Sequence, residues 1–203
     1  MNTQALINTA QALVADNKGI LAMDESNPTC NKRFAKLDIP QTGEAHRAYR
    51  EMIVTTAGLG ECISGAILYD ETIRQTTSAG IPFVQAVRDA GIIPGIKTAK
   101  VVAGATVRCF LRAVPAAVPG IMFLSGGQSA ELASSRLNAM NVGFKSRAPW
   151  ALSFSYGRAL QQPAMEAWAG QDANVKAAQQ ALLQRARCNL AARRGEYSAA
   201  MEV

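Results

Sequence analysis

Five short apolar runs, each breaking off abruptly in polar residues, constrain this chain more than any other feature. Residues 19–23 run into Asp24-Glu25-Ser26, 63–69 into Asp70-Glu71, and 92–96 into Lys97. Residues 120–124 then run into Ser125-Gly126-Gly127, and 150–154 into Ser155-Tyr156-Gly157-Arg158. Runs of this length, too short for helices and bounded by turn residues, predict buried parallel strands. Helical spacing of apolar residues falls between them, over 5–14, 44–56, 82–90, 106–114, 129–141 and 173–192, with Pro82 at a favourable first position. Strand–helix alternation with short connections predicts a parallel α/β arrangement. In such folds ligands bind at the C-terminal edge of the strands. Asp24, Asp70, Lys97, Ser125 and Arg158 are thereby offered to one mouth. Each alone reads as a strand-terminating polar residue, but five in succession point to a site.

Two of these ends carry a recognisable chemistry. Ser125-Gly126-Gly127-Gln128-Ser129 joins an apolar strand to a helix starting near Ser129. Glycines let the backbone turn tightly and approach an anion, and a helix N-terminus presents unpaired N–H groups to it. The next strand ends in Gly157-Arg158, a second close backbone approach with a guanidinium able to grip phosphate in a bidentate way. A pair of purely structural turns is the bland alternative.

Composition narrows the field. A chain of 203 residues with 49% hydrophobic content fits one domain with a substantial core. A single histidine, His46, and four cysteines without a CxxC pair argue against a metal mechanism and for no cofactor. Within Glu44-Ala45-His46-Arg47 the histidine reads as an exposed helix residue. The net charge of +6 is concentrated at Arg185, Arg187, Arg193 and Arg194. Those arginines fit a solvated face, cations near a helix C-terminus or an anionic small substrate better than nucleic acid, because no aromatic residues are interleaved with them. No segment reads as a signal peptide or membrane span, so a soluble, cytoplasmic chain that binds no membrane is expected.

Several motifs resemble the class I fructose-bisphosphate aldolases. They are Gly19 to Ser26 with Lys32-Arg33, Gly91 to Lys97, Phe123 to Glu131, and Trp150 to Leu160. The resemblance implies a (β/α) TIM barrel that cleaves fructose 1,6-bisphosphate through a lysine imine, without metal or other cofactor. Carried over by motif, Asp24 would assist proton transfer and Lys97 would be a supporting cation in the pocket. Ser26 and Arg33 would contact substrate phosphate. Ser125, Gly126, Gly127, Gly157 and Arg158 would hold the phosphate next to the ketone.

The family pattern breaks after the third strand. Residues 1–97 resemble barrel units one to three, 98–104 form a junction, and 105–203 resemble units seven and eight with the C-terminal helices. The intervening units, with their imine-forming lysine, have no counterpart. The expected fold is therefore an incomplete (β/α)8 barrel retaining about five parallel strand–helix units. Among the remaining lysines, Lys97 and Lys100 are the only candidates for a rebuilt imine site, and both are poor. Five units cannot close at eight-strand geometry, which leaves an open sheet, a swapped homo-oligomer or an unstable fragment. The resemblance thus implies an impaired aldolase, or else a non-catalytic sugar-phosphate-binding or aldolase-assembly protein. Tyr197 reads equally as a remnant of the family's C-terminal tail and as a helix-end residue.

Overall fold

The computed structural model describes residues 3–96, 114–144 and 148–202. All five expected strands form: β1 (Gly19–Met23), β2 (Ile63–Leu68), β3 (Ile93–Ile96), β4 (Gly120–Phe123) and β5 (Ala151–Tyr156). They make one parallel sheet in the order β3-β2-β1-β5-β4. The first strand of the chain is thus central. Among the described residues β3 and β4, whose pairing would have closed a ring, lie at opposite edges, so their strands form an open α/β arc.

Pairing alternates the faces. Leu21 lies opposite Ala66 on one side and Tyr156 on the other, and all three are buried against helices. Ile20 and Ala22, on the opposite face, are only half-buried. In a closed barrel that face is packed by the other strands.

Seven α-helices are formed by the described residues: α1 (Thr3–Val14), α2 (Asn27–Phe34), α3 (Gly43–Val54), α4 (Phe83–Asp89), α5 (Ala130–Phe144), α6 (Arg158–Trp168) and α7 (Val175–Arg194). The expected helix over 106–114 falls, but for its last residue, outside the described residues, as do Lys97, Lys100 and the junction. Pro82 precedes α4 as its N-cap instead of occupying the first turn. Two helices were not expected from the periodicity. α2 opens with Asn27-Pro28 and is mostly polar, and α6 carries Pro163 in its interior, a residue that lacks the N–H of a helix interior.

The long α7 packs on α5, α6 and α3. Between α2, α3 and α6 sits an aromatic cluster, with Phe34 edge-on to Tyr49 at 5.6 Å and Tyr49 stacked on Trp168 at 5.8 Å. All three rings are buried, and each such burial stabilises by roughly 1.5–3 kcal/mol before entropy is counted. Gly19 is required at the start of β1, because a Cβ there would lie 2.3 Å from the Phe154 ring. α1 runs under the N-terminal end of the sheet. Its Leu13 carbonyl accepts from Ser64 Oγ at 2.6 Å. No helix among the described residues is long and apolar enough to cross a membrane.

Two expectations about charge are corrected. His46 is buried rather than exposed, at 3% accessibility, with Nε2 2.7 Å from Asn31 Oδ1 and its ring 5.3 Å from that of Phe34. It lies on the inner stripe of α3, which the polar flanks Glu44 and Arg47 concealed. The C-terminal arginines do not form one solvated face. Arg185 points inward to Ala130 O (2.8 Å), Ser134 Oγ (2.6 Å) and Glu202, and Arg193 is also buried, whereas Arg187 and Arg194 are exposed. Tyr197 lies beyond the αL cap at Gly195, its N–H donating to Asn138 Oδ1 and its hydroxyl to Glu202 Oε1. That segment is packed onto α5.

Candidate functional site

The C-terminal ends of β4, β5 and β1 converge. After β4, Ser125 O accepts from Gln128 N at 3.1 Å, closing a turn whose central residues are Gly126 (φ 58) and Gly127 (φ 80). Two successive positive φ values explain the glycine pair. Ser125 is buried, and the two glycines are exposed.

Beyond β5, Gly157 caps α6 and Arg158 is its first residue, exposed. The two glycine-marked loops meet here. A Cβ placed on Gly127 would lie 3.3 Å from Arg158 Nη2. A Cβ on Gly157 would approach the carbonyl oxygen of Ala22 to 3.2 Å, so the β5–α6 turn passes close against β1. Asp24, half-buried, lies two residues further along. A guanidinium, exposed glycine backbone and a helix N-terminus together suit an oxyanion.

A buried hydrogen-bond chain holds this corner. Gln161 on α6 donates from Nε2 to Ala22 O at 2.7 Å and accepts at Oε1 from Tyr49 Oη at 3.1 Å. Tyr49 Oη in turn lies 3.5 Å from Arg33 Nη2. Burial raises the Tyr49 phenol well above its ordinary value, so it stays a neutral donor.

The other expected phosphate ligands are placed differently. Ser26 caps α2, with its Oγ 3.0 Å from Thr29 Oγ1. Arg33 is buried, its Nη1 2.7 Å from Glu25 Oε2 and its Nε 3.1 Å from Gln162 Oε1. Burial opposes the Arg33 charge, but the Glu25 carboxylate, which accepts its hydrogen bond, helps to outweigh it and hold the guanidinium above its usual value. Asp70, at the end of β2, pairs with Arg74 at 2.7 Å on the surface. Lys97 lies outside the described residues.

Beside Arg33 stands a network that the apolar pattern did not reveal. Glu71 Oε2 accepts from Asn27 Nδ2 at 2.6 Å and lies 3.4 Å from Arg50 Nη1, while Arg50 Nη2 donates to Asn27 Oδ1 at 3.2 Å. This ties the β1 loop to the β2 loop. The only available signal was the acidic residue following each strand-ending aspartate, Glu25 after Asp24 and Glu71 after Asp70. Cys30, within the same layer, is pushed up to about 11 by burial, which makes it a poor nucleophile.

A cavity of about 590 Å³ lies at the opposite end of the strands, lined by Lys18, Thr55, Thr56, Gly58, Gly60 and others. Volume and chemistry therefore point to different ends. The chemistry is the better guide here, because in parallel α/β folds ligands bind at the C-terminal edge of the strands.

Known proteins sharpen this picture. The family model described as "Glycolytic: Fructose-bisphosphate aldolase class-I" matches residues 5–104 and 97–203. "Fructose-bisphosphate aldolase 1, chloroplastic" of Chlamydomonas reinhardtii is 30% identical over 334 residues, covering 98% of this chain and 88% of that protein. "Probable fructose-bisphosphate aldolase class 1" of Xylella fastidiosa is 30% identical, with 97% and 99% covered. A solved fructose-bisphosphate aldolase from Plasmodium falciparum superposes with a TM-score of 0.89 at 28% identity, covering 97% of this chain and 96% of that one. The strands of the arc keep the layout of that barrel, and the chain belongs to the class I fructose-bisphosphate aldolase family, whose members are lyases of glycolysis.

Proposed function

We propose that this chain binds a sugar phosphate at the β4 and β5 loops but lacks the imine chemistry of its family, and so cleaves fructose 1,6-bisphosphate poorly or not at all. The observation that carries this reading is one of length. An alignment of 334 positions cannot be filled by 203 residues, so a long stretch of the relative faces no residue here. The family match falls in two pieces that meet at 97–104, which supports an internal deletion joined there.

An imine lysine must become neutral near pH 7, through desolvation or a neighbouring cation. Lys32, Lys36 and Lys176 are exposed, and Lys18 lies at the wrong end of β1, 3.9 Å from Asp16. None has the required surroundings. Asp24 keeps its position at the end of β1 and would serve proton transfer only if an imine formed nearby. Buried free thiols at Cys30, Cys62 and Cys188 fit a reducing cytoplasm.

Borohydride trapping with dihydroxyacetone phosphate, read by intact mass and peptide mapping, tests the reading. No adduct is expected beside an intact relative that labels fully. A single stoichiometric adduct on Lys97 or Lys100 would show a rebuilt imine site and overturn the impairment.

A further inference from the structure

We infer that this chain carries a second ligand site, at the N-terminal ends of its strands, which takes a small organic carboxylate with an apolar body. The cavity of about 590 Å³ there lies within the range of small-molecule pockets. Lys18, Glu61 and Gly91 on its wall stand just before β1, β2 and β3, at the far end of the strands from the phosphate loops. The two sites are separate, so failure of either leaves the other standing.

Lys18 supplies the charge. Its side chain is only 25% exposed, and its Nζ lies 3.9 Å from Asp16 Oδ2, beyond hydrogen-bond reach. Asp16 itself is turned to solvent. Among the described residues the ammonium thus has no hydrogen-bond acceptor, although most of the side chain has left water. A cation in that state gains from an anion brought to it.

Backbone donors on the same wall are also unused. The Ala57 and Gly58 N–H groups make no hydrogen bond among the described residues, and Gly58 holds a left-handed φ of 76. Carbonyls near the ends of α3 and α4, which would repel an anion, are by contrast already taken. Glu51 O, Met52 O and Ile53 O accept from Thr55 and Thr56, and Ala86 O and Val87 O accept from Ala90 and Ile92.

The charge balance selects the head group. Arg187 and Arg194 stand near enough for their charges, with that of Lys18, to act on the Cys62 thiol beside Glu61. Three cations against Asp16 and Glu61 leave one positive charge, which suits a monoanion. A carboxylate offers two oxygens to two neighbouring N–H groups and one charge to Lys18. Val54, Ala57, Ala86 and Ala90 give its body an apolar surface.

Isothermal titration of the full chain with 2-naphthoate and with its neutral counterpart 2-naphthamide tests the site. The carboxylate is expected to bind about tenfold more tightly, the worth of a charge-assisted hydrogen bond. Equal affinities, or no binding of naphthoate, overturn the proposal. Lys18→Met removes the charge and is expected to lower naphthoate affinity about tenfold, while Arg158→Ala leaves it unchanged. An unaltered affinity in Lys18→Met, or a loss in Arg158→Ala instead, overturns the assignment.

Should Lys18→Met fail to fold, acetylation of the unaltered chain with acetic anhydride decides. Saturating naphthoate is expected to slow modification of Lys18, read by peptide mapping, and to leave that of the exposed Lys32 and Lys176 unchanged. Equal modification of Lys18 with and without naphthoate overturns the proposal.

Discussion

Arg158 and Arg33 belong to neighbouring corners of one mouth, yet the protein uses them in opposite ways. Arg158 begins a helix, is exposed and lies beside glycine backbone. Arg33 ends a helix, is buried and meets a carboxylate, an amide and a phenol from three other elements. Both carry the same charge in the same layer of the fold. The difference is one of desolvation: a buried cation must find its counter-charge within the protein, and once it has done so it is part of the framework. An exposed one is left for ligand. The two corners are coupled all the same, because Tyr49 and Gln161 run from the Arg33 side to β1 and to α6, the helix that Arg158 begins.

The largest expected effect breaks the pair apart. Arg33→Ala leaves Glu25 without its partner in a poorly solvated site and should destabilise the chain by about 3 kcal/mol. Arg158→Ala should leave stability within about 0.5 kcal/mol and lower the affinity for dihydroxyacetone phosphate by about tenfold. Urea unfolding and titration of both variants check this. Similar loss of stability in the two, or intact ligand affinity in Arg158→Ala, would erase the distinction.

That distinction is also where the sequence stopped being legible. Strand ends could be read because a short apolar run closed by Asp, Lys, Ser or Arg needs only local information. The Gly126-Gly127 turn could be read for the same reason. The state of Arg33 could not, since its partners Glu25, Tyr49 and Gln162 come together only in the fold, the last of them 129 residues away. His46 failed likewise: its polar neighbours Glu44 and Arg47 hid a helix face that Phe34 covers. α2 and α6 were missed because Pro28, in the first turn of one, and Pro163, inside the other, broke the apolar period. The incomplete count of units did show in the sequence, but which edges stay open needed the strand order.

The next effect in size concerns the phosphate corner alone. Gly127→Val places a β-branched side chain at φ 80 with its Cβ 3.3 Å from Arg158 Nη2. Strain of this kind costs about 1–3 kcal/mol, and the guanidinium must shift to make room. Dihydroxyacetone phosphate affinity should fall together with stability. Gly126→Ala meets only Gln128 Nε2, at 3.8 Å, so its cost should be confined to the left-handed backbone, about 1 kcal/mol. Equal ligand losses at the two glycines would mean that the contact with Arg158 does not matter.

The smallest effect is expected on the framework side, from the only histidine. Burial, and then the Arg50 charge, lower the His46 pKa from its ordinary value near 6.5, while Glu71 opposes them weakly. Its Nδ1 is buried without a partner, so a second ring proton would find no acceptor. The folded state therefore favours the neutral ring, and the unfolded chain binds the proton more readily. Stability from this group is complete above pH 6.5 and is lost as the pH falls from there through the lowered native value. Urea midpoints between pH 7.5 and 5 should fall in the unaltered chain and fall less in His46→Gln, which keeps a donor towards Asn31 Oδ1 without a titrating ring. Parallel slopes in the two proteins would show that His46 does not carry the acid sensitivity.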